Sequence, residues 1–84
     1  MQLKLLHFKF KTLFNAKIFA LSVMKKIPKW YLFSYRLTPV RNDEDAKYQC
    51  ILYFNEYEDW QTILDIIFDI AKENNYRKYE KQDY

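Results

Sequence analysis

Apolar positions in the first ten residues alternate between two faces. Leu6, Phe8 and Phe10 fall on one face together with Lys4, and Leu3, Leu5, His7, Lys9 and Lys11 take the other. That period and its aromatic content predict a strand over 3–10. Residues 13–26 read as a helix, with a second strand as the alternative. On a helical wheel Lys11, Asn15, Ser22 and Lys25 group together, and Leu13, Phe14, Ile18, Leu21 and Met24 fall mostly opposite. Lys17 and Phe19 interrupt both stripes. Thr12 is placed to cap the start, and Pro28 ends the segment because the residue before proline is pushed out of helical angles.

Alternation returns over 30–38. Tyr31, Phe33, Tyr35 and Leu37 share the face expected in the core, and Trp30, Leu32, Ser34, Arg36 and Thr38 share the opposite one. Pro39 and the run Arg41-Asn42-Asp43-Glu44-Asp45 make a polar loop. A return strand follows over 47–54, with Tyr48, Cys50, Leu52 and Phe54 inward and Lys47, Gln49, Ile51 and Tyr53 outward. Asn55 and Glu58 have the spacing of a capping box. After them Trp60, Ile63, Leu64, Ile67, Phe68 and Ala71 recur at helical intervals as a buried stripe. Asn74 and Asn75 can supply the left-handed cap that glycine usually fills. Residues 76–84 are polar and lack an apolar period.

The expected order is therefore β-α-β-β-α, a small single α+β domain over 1–75 with an antiparallel sheet. Its C-terminal amphipathic helix packs on the hairpin. Residues 76–84 form a polar tail or a short edge strand. With that strand added, the order becomes the split β-α-β arrangement of ferredoxin-like folds. The alternative is a four-stranded antiparallel sheet crossed by one helix.

Composition narrows function mainly by exclusion. A chain of 84 residues has room for one domain. Half of it is hydrophobic and 20% aromatic, enough to build a core without staples. One cysteine excludes an internal disulfide, and one histidine excludes the usual zinc constellations. The absence of glycine excludes the P-loop and the dinucleotide fingerprint. Phe, Tyr, Met, Ile, Asn and Lys make up 40 residues and Gly, Ala, Arg and Pro only 9, the balance of an AT-rich genome.

Charge divides the chain. Residues 1–41 carry nine Lys or Arg and no acid, and residues 42–84 carry five against eleven acids. A +9 half beside a −6 half raises nucleic acid, a membrane surface or an acidic protein as partners, or mutual neutralisation of the halves. Residues 1–29 loosely match an organelle presequence but contain no Arg and a single Ser. No stretch approaches the ~20 apolar residues of a membrane span. Met24-Lys25-Lys26-Ile27-Pro28 reads as an alternative start, which would make residues 1–23 an extension. The expected location is the cytoplasm, that of the host if the chain is phage-encoded.

Catalytic candidates are few. Cys50 with His7 is the one thiol–imidazole combination, but Cys50 sits on a predicted core face. Asp65 and Asp69 are helical neighbours of the kind that can hold Mg²⁺ or Ca²⁺ or share a proton, and nothing else in the sequence converges on them. Asn42-Asp43-Glu44-Asp45 lacks the spacing and the glycine of a calcium loop. The reading is thus of a non-enzyme with no catalytic or metal residues and no cofactor.

The expected function is protein binding, as an inhibitor or adaptor of phage or mobile-element type that occupies the surface of a host or defence protein. The eight tyrosines and two tryptophans exceed what so small a core can cover, and surface aromatics anchor interfaces. Trp30, Leu32, Arg36, Ile51 and Tyr53 are the expected partner-binding face, with a homodimer through this face or an edge strand as its simplest use. The alternative is a small basic nucleic-acid-binding protein using Lys25, Lys26, Lys29 and Arg36, although the strand over 47–54 lacks the glycines of the RNA-recognition octapeptide.

Overall fold

The computed structural model describes residues 2–83. Met1 and Tyr84, assigned above to the domain and its tail, lie outside the described residues. Six elements follow in order: β1 (Gln2–Phe10), α1 (Leu13–Lys26), β2 (Leu32–Pro39), β3 (Tyr48–Glu56), α2 (Trp60–Glu73) and β4 (Lys78–Asp83). The strands form one antiparallel sheet in the order β2-β3-β1-β4. This β-α-β-β-α-β connection and strand order define the ferredoxin-like split β-α-β arrangement. β1 lies between β3 and β4, so residues 2–23 supply an inner strand and most of α1.

Both helices cover the same sheet face. Leu6, Phe8 and Phe10 of β1, Cys50, Leu52 and Phe54 of β3, and Leu32 of β2 are buried beneath them. Phe8 is the meeting point. Its ring lies 4.9 Å from Phe19 of α1, 5.2 Å from Phe68 of α2, 5.7 Å from Tyr76 and 4.7 Å from Tyr79 of β4. Tilted and edge-on pairs like these contribute about 0.5–1.5 kcal/mol each beyond the area they bury.

α1 is a helix, but its buried side differs from the wheel drawn above. Ala16, Phe19, Ala20 and Val23 face the sheet, and Leu13, Phe14, Ile18 and Leu21 face solvent. The two alanines let the backbone approach the strands closely, and Phe19 fills the space between, against Phe8 and Phe10. Turning the larger residues inward would overfill that space. The Thr12 hydroxyl accepts from the Asn15 N–H at 3.2 Å, the expected cap.

α2 starts later than its capping pattern suggests. Pairing of Leu3 with Asn55 and of Gln2 with Glu56 carries β3 through residue 56, so Asn55 is a strand residue and not a helix cap. Its side chain donates to the Trp30 carbonyl at 3.0 Å. Asp59 holds the N-cap position without a side-chain cap bond, and its carboxylate accepts the Tyr31 hydroxyl. With no glycine in the chain, Asn42 (φ 60°) and Asn75 (φ 59°) take the left-handed turns.

Strand β2 carries the main departure in register. Leu32 pairs with Phe54, yet Ser34 pairs with Tyr53, so Phe33 is an extra residue in a β-bulge. Strict alternation therefore fails there. Leu32 turns into the core and is fully buried, and Phe33 turns to the uncovered face. Beyond the bulge Tyr35 and Leu37 pair with Leu52 and Cys50, on the core side as expected.

The two halves of opposite charge meet at β4. Lys4, almost wholly covered on the core side of β1, reaches Asp83 at 2.6 Å, and Lys9 lies 3.7 Å from Glu80. The Lys4 ammonium holds the Asp83 carboxyl below its usual range. Lys81 pairs with Glu56 and sits 4.3 Å above the Trp60 ring.

The rotation of α1 predicts opposite outcomes for its two phenylalanines. Phe19→Ala should destabilise the protein by about 3–5 kcal/mol, the range for an emptied aromatic core site. Phe14→Ala should cost the single chain no more than about 0.5 kcal/mol, as exposed substitutions do, at protein concentrations low enough to hold it as a monomer. Urea unfolding followed by circular dichroism reads both.

Candidate partner-binding face

With both helices on one side, the other sheet face is uncovered by any described element. Its side chains come from alternate positions: Leu3, Leu5, His7 and Lys9 of β1, Gln49, Ile51 and Tyr53 of β3, and Arg36 and Thr38 of β2. The bulge adds Phe33, whose ring stands edge-on to Tyr53 at 5.9 Å between centroids. Phe33 is 47% exposed, so the pair is a raised aromatic feature and not a piece of core. Leu5 lies directly across from Tyr53 and Ile51 across from Arg36. Ile51 is itself buried, with His7 and Arg36 as its cross-strand partners.

A polar chain crosses this face. His7 Nδ1 lies 3.3 Å from Gln49 Oε1, and its Nε2 lies 3.2 Å from Gln82 Oε1. Gln49 Nε2 donates to Thr38 Oγ1 at 3.0 Å. A neutral imidazole donates to one of the two amides and accepts from the other once that amide turns its NH₂ group inward. The chain links β4, β1, β3 and β2, running from Gln82 beside Leu5 to Gln49 and Thr38 in the row of Lys9 and Lys78.

The five partner-binding residues expected from sequence separate. Arg36, Ile51 and Tyr53 share the uncovered face. Leu32 does not: the bulge turns it into the core. Trp30 is exposed but precedes β2, in the turn whose backbone is held by Asn55. Phe33 was missed because alternation assigned it inward. The sign that could have found it is the chance of a cross-strand aromatic pair with Tyr53.

The four residues of the nucleic-acid alternative also divide. Lys25 and Lys26 occupy the last turn of α1, where cations suit the helix dipole, and Lys29 follows in the next turn. All three are exposed. Arg36 lies on the far side of the sheet from α1.

The other candidate chemistries resolve geometrically. Cys50 and His7 are on opposite faces of the sheet, because Cys50 pairs with Phe8 and His7 with Ile51. Burial pushes the Cys50 thiol up to about 12. The Asp43 carboxylate accepts from the Asp45 and Ala46 N–H groups at 3.0 and 3.1 Å and from Lys78 at 2.6 Å. The Lys78 bond holds its pKa below the usual range. Asp43 thus ties the hairpin loop to the start of β4. A shallow open groove of about 610 Å³ lies beside it, lined in part by Pro39, Lys47 and Tyr48. Among the described residues no group of three or more His, Cys, Asp or Glu is placed to hold a metal ion. No helix among them is long and apolar enough to cross a membrane.

A thiol so placed predicts protection. Iodoacetamide at neutral pH should leave native Cys50 unmodified and label it fully once denaturant exposes it, as read by intact mass. Rapid labelling of the folded protein would contradict the placement of Cys50 on the covered face.

No protein-family model matches the chain, and no curated protein matches it. Among solved structures it is similar to a dimeric ferredoxin-like protein from an uncultured marine organism, at 14% identity. That match covers 96% of this chain and 83% of the other, with a TM-score of 0.45.

Proposed function

We propose that the protein is a non-enzymatic binding module that captures a protein partner on its uncovered sheet face. The observation that carries this reading is the Phe33–Tyr53 pair, with Arg36 on the same face and no helix over it. Aromatic rings and arginine are the side chains that most often dominate protein interfaces. Leu5 and Ile51 supply an apolar floor, and the His7 chain and Lys9 supply a polar rim, the usual anatomy of such a contact. The concrete form of the role is an inhibitor or adaptor acting in the cytoplasm, of the kind phages and mobile elements direct at host or defence proteins. The AT-rich composition is the support for that finer statement.

Nucleic-acid binding is the second reading. Lys25, Lys26 and Lys29 gather beside exposed Trp30 at one end of α1, a cation group with a stacking surface nearby. Arg36 takes no part in that patch.

One experiment separates the two. Tagged full-length chain is used to capture partners from a lysate of its native host, treated with nuclease and washed at moderate salt. A near-stoichiometric protein is expected to survive both treatments and to be lost with Phe33→Ala and Tyr53→Ala, while both variants still melt cooperatively. An eluate emptied by nuclease or salt would favour the nucleic-acid reading. Capture unaffected by either variant would remove the sheet face as the site.

A further inference from the structure

The helix side of the molecule carries a second surface, independent of the sheet face. The solvent line of α1 is formed by Phe14, Lys17, Ile18, Leu21 and Lys25. Phe14 is 71% exposed and Leu21 60%. Large apolar side chains on the outermost line of a surface helix mark a contact site. The neighbouring helix shows the opposite chemistry. α2 turns Asp65, Asp69 and Glu73 to solvent, with Ile66 beside Glu73 and a single cation, Lys72, on the same outward line next to Asp65. α1 contains no acid.

We propose that this helix layer is the interface of a symmetric homodimer in which α1 of each copy lies on α2 of the other. β1 and β3 are antiparallel, and each helix turns back over the sheet after its strand, so α1 and α2 run in opposite directions. A two-fold axis parallel to the helices, lying between them, then sets α1 antiparallel on the second copy's α2. Lys17 and Lys25 are eight residues apart, as are Asp65 and Glu73, a rise of about 12 Å in either helix. The antiparallel arrangement brings Lys25 toward Asp65 of the partner subunit and Lys17 toward Glu73 of the partner subunit. Phe14, Ile18, Leu21 and Ile66 are buried between the rows. An axis across the helices would instead stack α1 on its own copy and oppose Lys17 to Lys25. An anionic membrane is the less suitable occupant, because the acidic line of α2 lies beside α1 and would be repelled by it. The contact is isologous and closed, which limits association to a dimer. It leaves the uncovered sheet face free on both copies.

Sedimentation equilibrium of the full chain tests the proposal. A dimer is expected for the unaltered protein. Leu21→Glu should give a monomer that keeps its circular dichroism spectrum and cooperative melt. Lys25→Glu should weaken the dimer, and the double variant Lys25→Glu with Asp65→Lys should restore it, since the swap exchanges both charges of the pair. A monomer at every concentration would overturn the proposal, as would a dimer that survives Leu21→Glu or a double variant no better than Lys25→Glu. A monomer that instead floats with phosphatidylglycerol vesicles would assign the surface to anionic lipid.

Discussion

Everything in this small domain is arranged around burial of Phe8 from one side. β1 is an inner strand, and the Phe8 ring touches rings from α1, α2, the turn after α2 and β4. These contacts join residues far apart in sequence, so their effect is to hold the two ends of the chain together. They also fix sidedness. Once Phe8 and its row-mates Leu6 and Phe10 face the helices, the pleat turns Leu5, His7 and Lys9 to the other side. Ala16 and Ala20 let α1 come close enough to complete this layer, which leaves the larger residues of α1 outside.

The second constraint is the bulge at Phe33. β2 is an edge strand, where a bulge and the proline that ends it, Pro39, keep a sheet from adding further strands. Here the bulge also sorts two adjacent large side chains between the faces. Leu32 completes the core above Phe54, and Phe33 joins Tyr53 on the uncovered side. The aromatic feature on that face is therefore a product of backbone irregularity as much as of composition. The other edge, β4, is protected by charge: Lys78, Glu80, Lys81 and Asp83 line it, and each holds an ion pair among the described residues.

Much of the architecture is legible in the sequence where period and burial agree. The inward rows of β1 and β3 follow from alternation, and α2 buries the side its stripe marks, through Ile67, Ile70 and Ala71. α1 is harder because it is apolar nearly all round. Period then shows a helix but not its buried side, which depends on the shape of the gap above the sheet. The capping pattern at Asn55 and Glu58 misleads because the partner strand holds residues 55 and 56 in the sheet, a contact between distant segments that no local motif reports. The uncovered face is half legible. Arg36, Ile51 and Tyr53 follow from alternation, but Leu32 and Phe33 exchange places at a bulge that strict alternation does not report, its one sign being the aromatic partner Tyr53.

That exchange is also the point on which the account can be tested most directly. Leu32→Ala and Phe33→Ala should be compared by urea unfolding. The account predicts a loss of about 2–5 kcal/mol for Leu32→Ala, the cost of emptying a buried leucine site. It predicts a smaller loss, no more than about 1.5 kcal/mol, for Phe33→Ala, whose half-exposed ring gives up its edge-on pair with Tyr53. The reverse order would place Phe33 in the core and Leu32 outside. The uncovered face of the sheet would then carry a different set of side chains.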